Sequence, residues 1–211
     1  MTRCVLTVLL LCVTPGYAAV RLPRVFSNQM VLQRNTVVEI WGWAKTGEEV
    51  AVRCDWLDSP AVAIADADGR WQVELKTGPA GGPHSITVQG ENQISLEDIL
   101  FGEVWIASGQ SNMEMPLIKM SNAYTGIQHA AAEVRDANYP QLRLFQAGNF
   151  SSKEPLDDVQ PGITMYGIPP AECRWQACSS ETVPTFSSTA YFFARQLHDE
   201  LKLPVGIIDA S

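Results

Sequence analysis

Ser111 stands in the run Gly102-Glu103-Val104-Trp105-Ile106-Ala107-Ser108-Gly109-Gln110-Ser111-Asn112-Met113-Glu114-Met115-Pro116, an order of residue types that can present a nucleophile. Val104 to Ala107 is apolar throughout and reads as a buried strand. Ser108-Gly109 breaks it, and Ser111 falls where a helical turn should begin. A serine on such a strand–turn–helix corner is lifted clear of the sheet, with backbone N–H groups near enough to receive an oxyanion. The same residues also build plain turns, so the pattern alone leaves both readings open. Gln110 and Asn112 flank the hydroxyl and either contact substrate or hold the turn.

A serine nucleophile needs a base for its proton, and histidine is the usual one. The chain offers His84, His129 and His198. None follows an aspartate by three residues, since positions 81, 126 and 195 are Gly, Gly and Arg. His84 reads as a strand-entry or surface residue, His129 as a helix-surface residue and His198 as solvated near a helix end. Glu103 and Glu114 could be imagined as a glycosidase pair. Their simpler roles are strand entry for Glu103 and a dipole-favoured acid in a first helical turn for Glu114. Trp41, Trp43, Trp56 and Trp71 either form a sugar-stacking face or fill a core. Asp66-Ala67-Asp68-Gly69 resembles a calcium loop, but lacks the later acidic ligand and reads as a hairpin turn. No metal and no cofactor is expected.

Short strands dominate from about Val37 to Leu96: Val37–Trp41, Val50–Cys54, Ala61–Ala65, Arg70–Leu75 and Ser85–Gln89, punctuated by Gly, Pro, Asn and Asp turns. Their regular spacing predicts a small antiparallel sandwich or barrel. After Asp98 the texture changes. Phe101–Ala107 is a strand, Thr125–Arg135 has helical spacing, Gln141–Phe145 is strand-like, and residues 147–186 read as extended loop. Ser187 or Ser188 caps a helix that buries Ala190, Phe193, Ala194, Leu197 and Leu201 and ends at Lys202 and Pro204. Val205–Asp209 is a buried strand. Strand, helices, strand implies a parallel α/β sheet whose sites lie at the strands' carboxyl ends.

Residues 1–18 read as a secretory leader: Arg3, then an apolar stretch from Val5 to Val13, then Gly16-Tyr17-Ala18. The expected route is the secretory pathway, to the lysosome or the extracellular space. Loss of Arg3 with the leader would take the net charge from −8 to −9. An acidic chain without a Lys/Arg cluster argues against nucleic acid and anionic membranes as partners. Cys54, Cys173 and Cys178 lie after the leader, and Cys173 with Cys178 are expected to close a short disulfide in an oxidising compartment. Asn149-Phe150-Ser151 is an N-glycosylation sequon.

Four stretches, in order, resemble blocks of the sialate O-acetylesterases, a family of SGNH-type hydrolases. They are Phe26 to Arg34, Gly102 to Met115, Phe186 to Arg195 and Leu203 to Ser211. The resemblance implies a three-layer α/β/α sheet of SGNH type, incomplete within residues 98–211, preceded by a β-rich domain over 19–97. It implies an acetyl-serine mechanism with Ser111 as nucleophile and oxyanion donor, Gln110 and Asn112 shaping the pocket, and O-acetylated sialic acid or a sialoglycan as substrate. The family carries a Trp-Gly-Gly-Thr-like segment, an oxyanion-hole Asn and an Asp-x-x-His pair further on. This chain is therefore expected to be an amino-terminal portion, nearly inactive alone, with the remaining portion as its partner. The reading from a different class is a non-catalytic carbohydrate-binding or interaction protein.

Overall fold

The computed structural model describes residues 19–165 and 167–211. The expected leader lies outside them. In chain order the elements are β1 (Val31–Gln33), β2 (Val37–Trp43), β3 (Glu49–Cys54), β4 (Ala61–Ile64), β5 (Arg70–Lys76), β6 (Gly81–Gln89), β7 (Gln93–Ala107), α1 (Ser111–Glu114), α2 (Ala130–Asp136), β8 (Asn138–Gln146), β9 (Trp175–Ser179), α3 (Ser188–Leu201) and β10 (Val205–Asp209). Eight strands form one mixed sheet in the order β4-β3-β6-β7-β10-β8-β9, with β1 pairing on β7; β2 and β5 form a separate antiparallel ribbon. The fold is mixed α/β with a small antiparallel unit first, as the strand spacing and the later strand–helix–strand pattern predict.

β7 joins the two textures. Its earlier part pairs antiparallel with β6, and Glu103–Ala107 pairs in parallel with β10. The strand crosses residue 98, where the sequence texture changes. The ribbon alternates cleanly: in β5, Trp71, Val73 and Leu75 are buried between exposed neighbours. Those residues meet Val50, Val52, Ile86 and Val88 of the sheet in one apolar cluster, the sandwich expected from period-two patterning.

A second cluster lies on the other face of the parallel part, where Leu142, Leu144, Val205 and Ile207 receive Ala190, Tyr191 and Ala194 of α3. Ser187 caps that helix by accepting the Ala190 N–H at 3.1 Å, and Lys202 ends it in a left-handed conformation with its N–H on the His198 carbonyl. The buried face is narrower than the apolar stripe suggested. Phe193 and Leu201 remain exposed, and Phe193 instead meets Trp105 edge-on at 5.3 Å.

Three expectations change. The helix expected over 125–135 begins only at Ala130, because Gly126 and His129 both have positive φ and break the run. The loop expected over 147–186 contains β9, an edge strand on β8, and β1 was read only as part of a signature. The third is the disulfide. Cys173 and Cys178 are free, buried thiols. Cys173 packs in the sandwich cluster and donates to the Gln160 carbonyl at 3.2 Å, whereas Cys178 packs in the helix-side cluster. Cys173 lies just before β9 with φ 49° and Cys178 lies within it, so the two thiols sit in different clusters and are not bonded.

One buried charge ties the halves together. Arg143 of β8 is only 4% exposed. It makes a two-point contact with Asp98 of β7, Nη1 to Oδ2 at 2.8 Å and Nη2 to Oδ1 at 3.0 Å, and donates to the Pro140 carbonyl at 2.7 Å. Removing one partner of such a pair strands the other charge, although Asp98 is partly solvated, which softens the loss. Asp98 has φ 57°, which Asn tolerates. Asp98→Asn is therefore expected to lower stability by about 2 kcal/mol in urea titrations, and a second change, Arg143→Met, is expected to recover more than half of it.

Candidate active site

The parallel strands deliver their carboxyl ends to one edge. β10 pairs Asp209 with Ala107 of β7 and, on its other side, with Gln146 of β8. Beyond this register the chain is clasped: the Ala210 N–H donates to the Ala107 carbonyl at 2.8 Å, and the Ser108 hydroxyl donates back to the Ala210 carbonyl at 2.9 Å. The turn after β7 is thus fixed to the end of β10.

Gln110 is extended, and α1 starts at Ser111. Met113 N–H makes the first backbone bond of the corner, to the Gln110 carbonyl at 2.7 Å. The N–H groups of Ser111 and Asn112 come before it, as orphan donors do at a helix start. The corner is seated on the beginning of α3 through Thr189 Oγ1 donating to the Asn112 carbonyl at 3.1 Å and the Ser188 N–H donating to the Met115 carbonyl at 2.8 Å.

Ser111 is exposed, and its hydroxyl has no hydrogen-bond partner among the described residues. It lines an open depression of about 500 Å³ together with Gln110, Asn112, Gly109, Met113 and Thr189. The structure thus brings together the three site residues expected from the sequence, with the Gln110 and Asn112 side chains also unpartnered among the described residues. A free hydroxyl, two planar amides and orphan N–H donors on one corner can hold a carbonyl group and attack it.

The histidines are elsewhere. His84 pairs with Asp55 at 3.1 Å and stacks on Phe101, His198 contacts the Leu203 carbonyl at 2.8 Å, and His129 precedes α2. None hydrogen-bonds Ser111. Glu103 accepts from Gln33 and Arg34 at 3.0 and 2.8 Å, and these bonds hold its carboxyl below the usual range. Glu114 lies past the other end of the strand segment and accepts from the Tyr124 hydroxyl. Four strand steps, roughly 13 Å, separate Glu103 from the carboxyl end of β7, too far for a glycosidase pair.

Trp43 and Trp71 are core residues, while Trp41 and Trp56 are half-buried. Asp66 accepts from the Asp68 and Arg70 N–H groups at 2.9 and 2.8 Å, which is the hairpin reading. Among the described residues no group of His, Cys, Asp and Glu could hold a metal ion, and no helix is long and apolar enough to cross a membrane. Asn149 is half-buried, its carbonyl accepting the Ile163 N–H at 3.2 Å.

Asp209 escaped the sequence reading. It is 3% exposed at the carboxyl end of β10, and Ser211 Oγ donates to its Oδ1 at 2.7 Å. Burial lifts its carboxyl from 3.8 to about 6; the Ser211 bonds oppose the rise and the Glu114 charge adds to it. A carboxylate closing an apolar strand at a sheet's site edge was the available signal.

No family model matches the chain. It is 29% identical to the sialate O-acetylesterase of Mus musculus over 194 residues, 87% of this chain and 34% of that protein. It is 26% identical to the sialate O-acetylesterase of Homo sapiens over 200 residues, 88% of this chain and 35% of that protein. Among solved structures, a carbohydrate acetylesterase from Xanthomonas citri superposes with a TM-score of 0.76 at 31% identity, covering 91% of this chain and 40% of that one. The resemblance read from the four sequence stretches is thus borne out along most of the chain. The chain spans about a third of the length of the curated relatives it matches.

The raised Asp209 carboxyl has a consequence for stability. Its native-state value exceeds the unfolded one, so the native state holds the proton more tightly. The cost is absent below about pH 4, grows between pH 4 and 6, and is complete above it, at ~3 kcal/mol for a rise from 3.8 to about 6. Asp209→Asn is expected to unfold at higher urea than the wild type at pH 8 and at the same urea at pH 4.

Proposed function

We propose that this chain carries the nucleophile side of a carbohydrate O-acetylesterase. The observation that carries the reading is Ser111, an unpartnered hydroxyl on the corner that leaves the carboxyl end of β7, in a stretch that resembles acetylesterases. The Ser111 Oγ attacks the acetyl carbonyl carbon, a C–O bond forms, and the oxyanion is received by the N–H groups of the corner. The sugar oxygen leaves as a hydroxyl, taking the proton that a general base removed from Ser111. Water, activated by the same base, then releases acetate and restores the serine. Gln110 and Asn112 orient the sugar. The names of the curated relatives favour an O-acetylated sialic acid as the acetyl bearer.

The base is proposed to come from polypeptide outside these residues, since no described histidine reaches Ser111. The apolar surface beside the site supports this. Trp105 and Ile106 are 45% and 70% exposed on a strand segment that, among the described residues, pairs only with β10. Further strands of a longer protein would cover them. On this reading residues 98–211 belong to the hydrolase domain and 19–97 to a β-rich domain, and the 211-residue chain alone is nearly inactive. The same reading places the protein in the secretory pathway, lysosomal or extracellular, with a glycan on Asn149.

Protein expressed from the complete gene is expected to react with a fluorophosphonate probe at Ser111 and to release acetate from acetylated sugars. Ser111→Ala should abolish labelling and lower kcat by about 10⁴–10⁶. Unchanged turnover in that variant would refute the assignment, and absence of labelling in the wild type would favour a non-catalytic sugar-binding protein.

A further inference from the structure

The β-rich part carries a groove that the esterase chemistry does not use. Two depressions, of about 660 and 510 Å³, share Trp41, Leu156 and Asp157 and so adjoin. The first lies over the β2–β5 ribbon and is bounded by Glu39, Gln72, Ile64 and Asp66. The second runs past Phe150 to Ala147 and Gly148. Trp41 lies at their junction, half-buried, with Phe26 and Trp43 packed against it edge-on at 6.0 and 5.3 Å, so its ring plane is held. Leu156 and Phe150 are 50% and 54% exposed. The wall that bears Leu156 is anchored at two points: Asp157 pairs with Arg70 at 2.6 Å, and Asp158 accepts the Arg24 N–H at 3.0 Å.

A pinned aromatic ring with apolar neighbours, rimmed by carboxylates and an amide, suits a saccharide. Sugar C–H faces pack on the ring while hydroxyls donate to the rim. Arg70 and Arg24 are already committed to Asp157 and Asp158, whereas no ion pair neutralises Glu39 or Asp66 among the described residues. The groove is therefore net acidic and repels a carboxylated sugar. It also leads toward the candidate active site. Ala147 donates its N–H to the Asp209 carbonyl at 2.9 Å, and β10 alone separates β8 from β7. The groove thus opens two strand spacings, about 10 Å, from the end of the strand that presents Ser111.

We propose that this groove binds neutral sugar units of a glycan, holding a chain whose acetylated residue reaches Ser111. The link to acetyl transfer rests on the esterase reading; the binding of neutral sugar does not. Full-length protein would be titrated, by calorimetry and tryptophan fluorescence, with neutral tetrasaccharides of glucose, xylose, galactose and mannose. At least one neutral tetrasaccharide is expected to bind at millimolar concentration or below. Trp41→Ala should weaken that binding at least tenfold, and Ser111→Ala should leave it unchanged. Leu156→Asp, at an exposed position where folding is not at risk, should weaken it by a similar factor. Failure of every neutral sugar to bind at millimolar concentration, or unaltered binding in both groove variants, would overturn the proposal. Loss of binding in Ser111→Ala would show that the sugar sits only in the catalytic depression and would overturn it as well. Absence of probe labelling at Ser111 with neutral-sugar binding intact would sink the esterase reading alone.

Discussion

The seating of β10 among its neighbours is the constraint on which the rest of the structure depends, and two glycines permit it. A Cβ on Gly102 would lie 2.1 Å from the Pro204 carbonyl oxygen, the same oxygen that accepts the Glu103 N–H at 3.0 Å and opens the parallel ladder. A Cβ on Gly206 would lie 2.8 Å from Cβ of Val31 and 3.1 Å from the Trp175 ring. Side chains at these places would push β10 out or slip its register. A slip of one residue would send Ile207 to the wrong face and detach Asp209 from Ala107. The register delivers the corner bearing Ser111, the clasp from Ser108 to Ala210 and the start of the groove at Ala147 to one edge.

That edge is electrostatically expensive. Asp209 and Glu114 are both acidic, and one of them is buried, while no cation pairs with either among the described residues. Hydrogen bonds from Ser211 and Tyr124 offset part of the cost. A buried carboxylate raised by desolvation beside a second acid is the kind of arrangement found at functional sites as well as in structural networks. The balance is supplied by the two apolar clusters on either side of the sheet and by Arg143, whose charge is compensated at Asp98 instead of at the site.

Much of this was legible because local signals agreed with the final packing. β5 alternates strictly, α3 has a serine cap and a lysine stop, and the strand leading to Ser111 ends in Ser-Gly. The failures share one cause. β1 and β9 are three and five residues long, too short to show a period, and exist because a neighbouring strand offers hydrogen bonds. The disulfide expectation came from spacing and compartment, and neither registers that Cys173 and Cys178 pack in different apolar clusters. The helix before β8 lost its first turn to Gly126, whose positive φ is invisible to a periodicity count. Asp209 was missed because a single acid on an apolar strand acquires meaning only when the strand's end is known to meet Ala107. The four tryptophans look alike in sequence, and only tertiary placement separates Trp43 and Trp71, in the core, from Trp41 at the groove.

The chain between β8 and β9 shows how such a surface can be held without regular structure. Ordering residues 147–165 and 167–174 costs conformational entropy at every position, and few of them bury apolar side chains. Their order rests on scattered bonds: Ala147 to Asp209, Ile163 to Asn149 and Ala171 to Pro161 along the backbone, with the Arg24 and Arg70 ion pairs at the far wall. Exposed ion pairs each contribute little, so the backbone bond at the β10 end holds the segment more firmly than the Arg70 pair does. A ligand lying against Trp41 and Leu156 would contact this wall and the β2–β5 ribbon together. The β10 end, sharing its attachment with the clasp on Ser108, would stay in place whether or not the groove is filled. Sugar binding can therefore orient a glycan near Ser111 without moving the nucleophile.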